Sequence, residues 1–118
     1  MSCLFNTLSK FVNISSNELR ENICNYLQNN PTLYEDMKAE NAIIWSNEGY
    51  KNINQYIEMM RRTSTWGGAI EIKAFCNMYH TKVIVNGREN NEMIEFLPAI
   101  KSSSNDILIN WNGGHYYT

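Results

Sequence analysis

With 118 residues, of which 43% are hydrophobic and 19% charged, the chain can form one modest core and is too apolar to remain disordered. Its formal net charge of −2, without a Lys/Arg-rich run, argues against a nucleic-acid partner. The longest apolar runs are far too short to span a membrane, and polar residues at positions 6–10 interrupt any signal-peptide core. We therefore expect a single domain over residues 1–118 that contacts neither nucleic acid nor membrane. We also expect a monomer, although no pattern in the sequence encodes the oligomeric state.

The first two thirds of the chain has the periodicity of amphipathic helices. A first helix is expected over residues 1–12, and a second begins at a capping box, Ser15-Ser16-Asn17-Glu18, and stops before Pro31. Further helices are predicted over 32–40, 50–62 and 69–79, with a loop over 41–49.

From His80 onward the period changes to that of strands. Strands are predicted over 81–86, 93–97, 106–112 and 115–118, and the third of these could be buried on both faces. Gly113-Gly114 has the form of a two-residue hairpin turn. Helices followed by strands predict an α+β fold, with N-terminal helices packed on a small, mainly antiparallel C-terminal sheet.

The three cysteines, Cys3, Cys24 and Cys76, form no C-x-x-C pair. An odd number without an export signal predicts free thiols in a reducing compartment, which is the cytoplasm, or the host cytoplasm if the source is a virus. Their spacing to His80 and His115 matches no common zinc site, so we expect neither a metal nor a cofactor. Cys24 lies on or next to the apolar stripe of the second predicted helix, and Cys76 lies within the last predicted helix. Both are interpreted as structural, and His80 as a helix-end residue.

Cys3 stands apart because it lies at the mouth of the first predicted helix. Unpaired backbone N–H groups and the helix dipole favour a thiolate there. A cysteine nucleophile also needs a histidine to take its proton, which is typically distant in sequence. The alternative is that Cys3 is a small buried hydrophobic residue.

Three separated features carry a resemblance to a known family: Cys3 opening a helix, Trp66-Gly67-Gly68 preceding a helix, and His115 on the last hairpin. Together they resemble the OTU (ovarian tumour) family of cysteine proteases. Met1 to Phe5 match the end of the family's D-G-x-C-L-F motif, and Leu19-Arg20 match its second helix. The family's central block is matched by Tyr56 to Met60, Trp66-Gly67-Gly68, Glu71 and Ala74. Its closing pair is matched by His115-Tyr116.

The resemblance implies a papain-like fold and a deubiquitinase that hydrolyses isopeptide bonds between ubiquitin, or a ubiquitin-like modifier, and lysine. It further implies that Cys3 is the nucleophile and His115 the base. Backbone N–H groups of Ser2 and Cys3 would then form the oxyanion hole.

The chain departs from the family pattern where the imidazole should be oriented. The family's Asp three residues before the cysteine would precede Met1, Met1 itself replaces the motif's glycine, and Tyr117 stands two residues after His115. The sequence therefore leaves open an N-terminally clipped enzyme, a catalytically inactive ubiquitin-binding module and a decayed gene fragment. A plain α+β interaction domain is a further alternative.

Asn112 is a candidate replacement for the missing acid. If Gly113-Gly114 form a two-residue turn, Asn112 opposes His115 with the Cβ atoms roughly 5 Å apart. Its side-chain carbonyl could then orient the imidazole. The alternative is that Asn112 is a favourable turn residue. The Trp66-Gly67-Gly68 segment is expected to shape the start of the following helix and to pack Trp66 on the core.

Overall fold

Helices form where the sequence periodicity predicts them, with one exception. The computed structural model describes residues 3–29, 32–34, 37–38, 53–63, 65–87, 93–99, 106–112 and 115–118. Within these ranges the helices are α1 (Cys3–Val12), α2 (Ser16–Asn29), α3 (Ile53–Met60) and α4 (Ala69–Tyr79). The Glu18 N–H donates to Ser15 Oγ at 3.1 Å, so the predicted cap does begin α2. No helix in the described ranges is long and apolar enough to cross a membrane.

The exception is residues 32–40, for which the prediction of a short helix was wrong. Two short strands, β1 (Thr32–Tyr34) and β2 (Met37–Lys38), pair there in an antiparallel arrangement with an irregular register. A β-branched residue and an aromatic residue at the start of this segment favour the extended conformation. The loop predicted over 41–49 lies outside the described residues.

The core lies where the helices meet one face of a second sheet. α1 buries Leu4, Phe5 and Leu8, and α2 buries Leu19, Ile23 and Leu27, each at most 1% exposed. These residues recur at helical spacing, so one side of each helix is apolar. Each such side chain contributes roughly 1.5–3 kcal/mol by leaving water.

Arg20 joins three of the helices inside this core. Its side chain is 1% exposed, and Nη1 donates to the carbonyl oxygen of Met60 at 2.7 Å, which satisfies the C-terminal end of α3. The guanidinium also lies 4.1 Å from the centre of the Phe5 ring, a cation–π distance. Burial lowers the pKa of Arg20, and nearby Cys24 and Glu71 oppose that shift.

The second sheet has the strand order β4-β3-β5-β6, comprising β3 (Val83–Asn86), β4 (Met93–Phe96), β5 (Ile107–Trp111) and β6 (Tyr116–Tyr117). β3–β4 and β5–β6 pair antiparallel, whereas β3–β5 pair parallel. Because β4 occupies one side of β3, the chain crosses to the other side before adding β5, and this crossover leaves the central pair parallel. The α+β class is confirmed, with a mixed sheet in which antiparallel pairs predominate.

The prediction that β5 could be buried on both faces was wrong. Ile109 is fully buried beside Val83 and Val85, whereas Leu108 on the opposite face is 50% exposed. Trp111 lies on the same face as Ile109, but at the end of the strand, and is 40% exposed. Successive strand residues point to opposite faces, and the helices cover the face on which Ile109 lies.

α4 ends at His80, whose backbone conformation is unfavourable for a residue with a Cβ. His80 adopts φ 53° and ψ 43°, and its N–H donates to the carbonyl of Cys76. This left-handed conformation suits glycine because glycine lacks a Cβ. We expect His80→Gly to raise the free energy of unfolding by about 0.5–1 kcal/mol in urea titrations. His80→Ala is the control, since alanine retains the Cβ. An equal gain in both variants would assign the effect to loss of the imidazole.

Candidate active site

Cys3 is the first residue of α1 and is partly exposed. The first turn of α1 contains no acidic residue, so its free N–H groups and the positive end of the helix dipole are not offset locally. The next two residues, Leu4 and Phe5, are buried and fix the start of the helix in the core. The thiol is thus placed at an electropositive helix end on a rigid support.

The two other cysteines differ from Cys3 in exposure and chemistry. All three are free thiols, but Cys24 and Cys76 are buried. Burial is the main cause that raises the pKa of Cys24 to about 12 and that of Cys76 to about 11. The Cys76 thiol also donates to the carbonyl of Phe96 at 3.4 Å. These environments keep both groups neutral and fit the structural role predicted for them.

The last strand runs alongside α1 and brings the histidine to the cysteine end of that helix. Thr7 Oγ1 donates to the Tyr116 carbonyl at 3.1 Å, and Lys10 Nζ donates to Thr118 Oγ1 at 3.4 Å. The two contacts advance in the same direction along both elements. Going back one residue from Tyr116 therefore places His115 toward the N-terminal end of α1, where Cys3 lies.

The pKa of Tyr116 is also affected by Cys3, which agrees with the packing of β6 along α1. Burial is the larger cause that raises the pKa of the Tyr116 phenol, and the charge of Cys3 raises it further, followed by Glu71. Tyr116, the residue that directly follows His115, therefore lies within electrostatic reach of Cys3. Cys3 and His115, which are 112 positions apart in the sequence, thus lie toward the same end of the packed α1–β6 pair.

Gly67 packs the Trp66-Gly67-Gly68 segment onto the start of α1. A Cβ built on Gly67 would lie 2.9 Å from Leu4 Cδ2 and 2.9 Å from Phe5 Cε2, closer than carbon atoms tolerate. Gly68 is the N-cap of α4, which agrees with the prediction that the segment shapes the start of this helix.

The expected packing of Trp66 on the core was wrong. The Trp66 side chain is 46% exposed, and its ring centre lies 5.5 Å from that of His115 with an angle of 36° between the planes. The close approach of the Gly67 backbone to α1 occupies the core side of the segment, so the indole lies outside it. Trp66 thus contacts the candidate base, a relation that sequence reasoning missed.

Glu71 fixes the segment from the α4 side. It is 1% exposed, and its Oε1 accepts the Gly68 N–H at 2.7 Å while Oε2 accepts the Tyr56 hydroxyl at 2.5 Å. A glutamate three residues after the N-cap is the second half of a capping box, the sequence signal for this contact. The segment also borders a cavity of about 260 Å³, lined by Tyr56, Trp66, Gly67, Gly68, Ala69, Ile70 and Glu71.

Asn112 and His115 pair across the final hairpin. The Asn112 N–H donates to the His115 carbonyl at 3.1 Å, and Asn112 Oδ1 accepts the His115 main-chain N–H at 2.8 Å. These contacts serve the turn, so the proposed action of Asn112 on the imidazole ring stays a prediction. Gly113-Gly114 lie outside the described residues. So does Ser2, and its oxyanion role stays a prediction as well.

Comparison with known proteins gives a consistent result over the whole chain. The family model for OTU-like cysteine protease matches residues 2–117. The Schizosaccharomyces pombe protein named "Putative ubiquitin thioesterase otu1" is 27% identical over 115 residues, which are 98% of this chain and 32% of that protein. The chain thus spans about a third of the length of this relative.

Solved structures show the same fold. An OTU domain in complex with ubiquitin superposes with a TM-score of 0.73 and 29% identity, covering 98% of this chain and 61% of that one. The viral OTU domain protease from Dera Ghazi Khan virus superposes with a TM-score of 0.69 and 17% identity, covering 98% and 71%. The family match spans nearly the entire sequence and includes both Cys3 and His115. This chain belongs to the OTU-like cysteine protease family.

Proposed function

We propose that this domain is a cysteine-type deubiquitinase in which Cys3 is the nucleophile and His115 the general base. Its substrate is the isopeptide bond between ubiquitin, or a ubiquitin-like modifier, and a lysine side chain. The observation that supports the proposal is the packing of β6 along α1, given by the Thr7–Tyr116 and Lys10–Thr118 hydrogen bonds, because this packing directs His115 toward the N-terminal end of α1. Ubiquitin in complex with a similar OTU domain supports the substrate class.

The chemistry follows from the two side chains. His115 takes the Cys3 proton, and the thiolate attacks the isopeptide carbonyl to form a tetrahedral intermediate. Backbone N–H groups of Ser2 and Cys3 would hold the oxyanion, a type of contact that contributes about 3–4 kcal/mol to such transition states. The imidazolium then protonates the lysine amine as it leaves. Water activated by His115 hydrolyses the resulting thioester and releases the ubiquitin carboxylate.

A ubiquitin probe with a C-terminal thiol-reactive group tests the proposal. Wild-type protein should gain the mass of one ubiquitin, and Cys3→Ala should gain none. Cys24→Ala is a matched control because it removes a buried thiol elsewhere in the fold. If the wild type binds ubiquitin without labelling, the domain is an inactive binding module. If it neither binds nor labels, ubiquitin is not its substrate.

The three cysteines should separate by reactivity even without ubiquitin. In folded protein at pH 8, iodoacetamide should add a single carbamidomethyl group, because burial raises the pKa of Cys24 to about 12 and that of Cys76 to about 11. Intact-mass spectra should show no adduct for Cys3→Ala and three adducts for wild type in urea. A single adduct that persists in Cys3→Ala would contradict this assignment.

Since a free nucleophilic thiol needs reducing conditions, we place the activity in the cytoplasm.

The predicted orienting role of Asn112 has its own test. If its amide holds the imidazole, Asn112→Ala should lower kcat by about ten-fold or more, because the ring N–H loses the acceptor that fixes its tautomer. Asn112→Asp keeps the acceptor oxygen and should retain most of kcat. Loss of stability in urea with unchanged kcat would restrict Asn112 to the turn contact with the His115 main chain.

A further inference from the structure

The indole ring of Trp66 packs against the imidazole ring of His115. The ring centres lie 5.5 Å apart at an angle of 36°, within the range in which an aromatic face attracts a cation. His115 is exposed, and its hydrogen bonds with Asn112 across the hairpin are made by its main-chain N–H and carbonyl groups. The hairpin thus fixes the main chain of His115, and Trp66 packs against its side chain.

Trp66 is anchored independently of His115. The next residue, Gly67, fits against Leu4 and Phe5 without room for a Cβ. One residue further on, the N–H of Gly68 is held by the buried carboxylate of Glu71, which also accepts the Tyr56 hydroxyl. The backbone beside the indole is therefore fixed from α1 and from α4, the two helices that frame the site.

We propose that Trp66 is a positioning residue for His115 and holds the imidazole toward Cys3. The idea rests on the proposed function for its catalytic meaning, but the ring contact itself does not. An imidazole held in this position can take the proton of Cys3 and deliver it to the lysine amine as that amine leaves.

The direct test is a spectroscopic signature of the ring contact. The indole ring current should displace the His115 imidazole C–H resonances in NMR spectra, and Trp66→Leu should abolish that displacement. Trp66→Phe keeps an aromatic face and should retain part of it. Trp111→Leu is the matched control, because Trp111 is a similarly exposed tryptophan on β5 that contacts Tyr116, with ring centres 6.5 Å apart.

Reactivity gives a second readout that separates positioning from folding. Trp66→Leu should slow carbamidomethylation of Cys3 about two- to five-fold and lower kcat on a ubiquitin substrate with KM unchanged, whereas Trp66→Phe should restore most of both. If resonances and alkylation change as expected while no variant cleaves ubiquitin, the positioning role holds and the proposed function fails. If the His115 resonances are the same in wild type and Trp66→Leu, the positioning role is wrong whatever the activity.

Discussion

Replacing His115 with alanine should lower kcat/KM on a ubiquitin substrate by about 10³-fold, the middle of the range for loss of a general acid–base group. The residue has two duties in the proposed mechanism, removal of the thiol proton and protonation of the leaving amine. Its side chain is exposed, so the free energy of unfolding should change by about 0.5 kcal/mol or less. Steady-state hydrolysis and urea denaturation of the same preparation measure both quantities.

The chain supplies a matched control, because it contains two histidines. His80 is exposed at the far end of α4, and His80→Ala should keep full activity. A His115→Ala variant that stays folded and hydrolyses ubiquitin at the wild-type rate would remove the histidine from the mechanism. Comparable activity losses in both variants would point to a general effect on the fold.

The helical part of the fold was predictable because its signals are local. Apolar spacing in α1 and α2 and the Ser15 cap are properties of short segments, and the structure reproduces them. The parallel pairing of β3 with β5 is different, since it depends on which side of β3 the chain returns to. No period in either strand encodes that choice. The misassigned β1–β2 pair lies in a segment too short for a decisive period.

The candidate site divides in the same way. Cys3 and His115 could be named from residue chemistry and family motifs, but their approach depends on β6 lying along α1. The sequence placed Trp66 in the core because large apolar residues are usually buried. Its exposure results from the tight contact between Gly67 and α1, which only the assembled fold reveals.

The contact of Gly67 with α1 predicts a large loss of stability and activity when a methyl group is added at Gly67. Gly67→Ala should destabilise the domain by about 1–3 kcal/mol, since the new methyl group would overlap Leu4 Cδ2 and Phe5 Cε2 in a packed core. Relief of the overlap moves the first turn of α1, which holds Cys3. Displacement of a nucleophile by about 1 Å can cost 10²-fold in rate, so kcat/KM should fall by about 10- to 100-fold. Gly68→Ala is the matched control, because a Cβ there meets no atom within 4 Å.

A second substitution shows whether the contact itself is responsible. Phe5→Leu removes the ring edge that the new methyl group would meet, so Gly67→Ala should cost less stability and activity in that background than in wild type. The two changes would then be non-additive, as expected for residues in contact. If Gly67→Ala has the same effect in both backgrounds, its cost comes from lost backbone freedom and not from the contact with Phe5. The same conclusion would follow if Gly67→Ala and Gly68→Ala had equal effects. Coupling between Phe5 and Gly67 would instead show that the segment bearing Trp66 sets the position of the nucleophile.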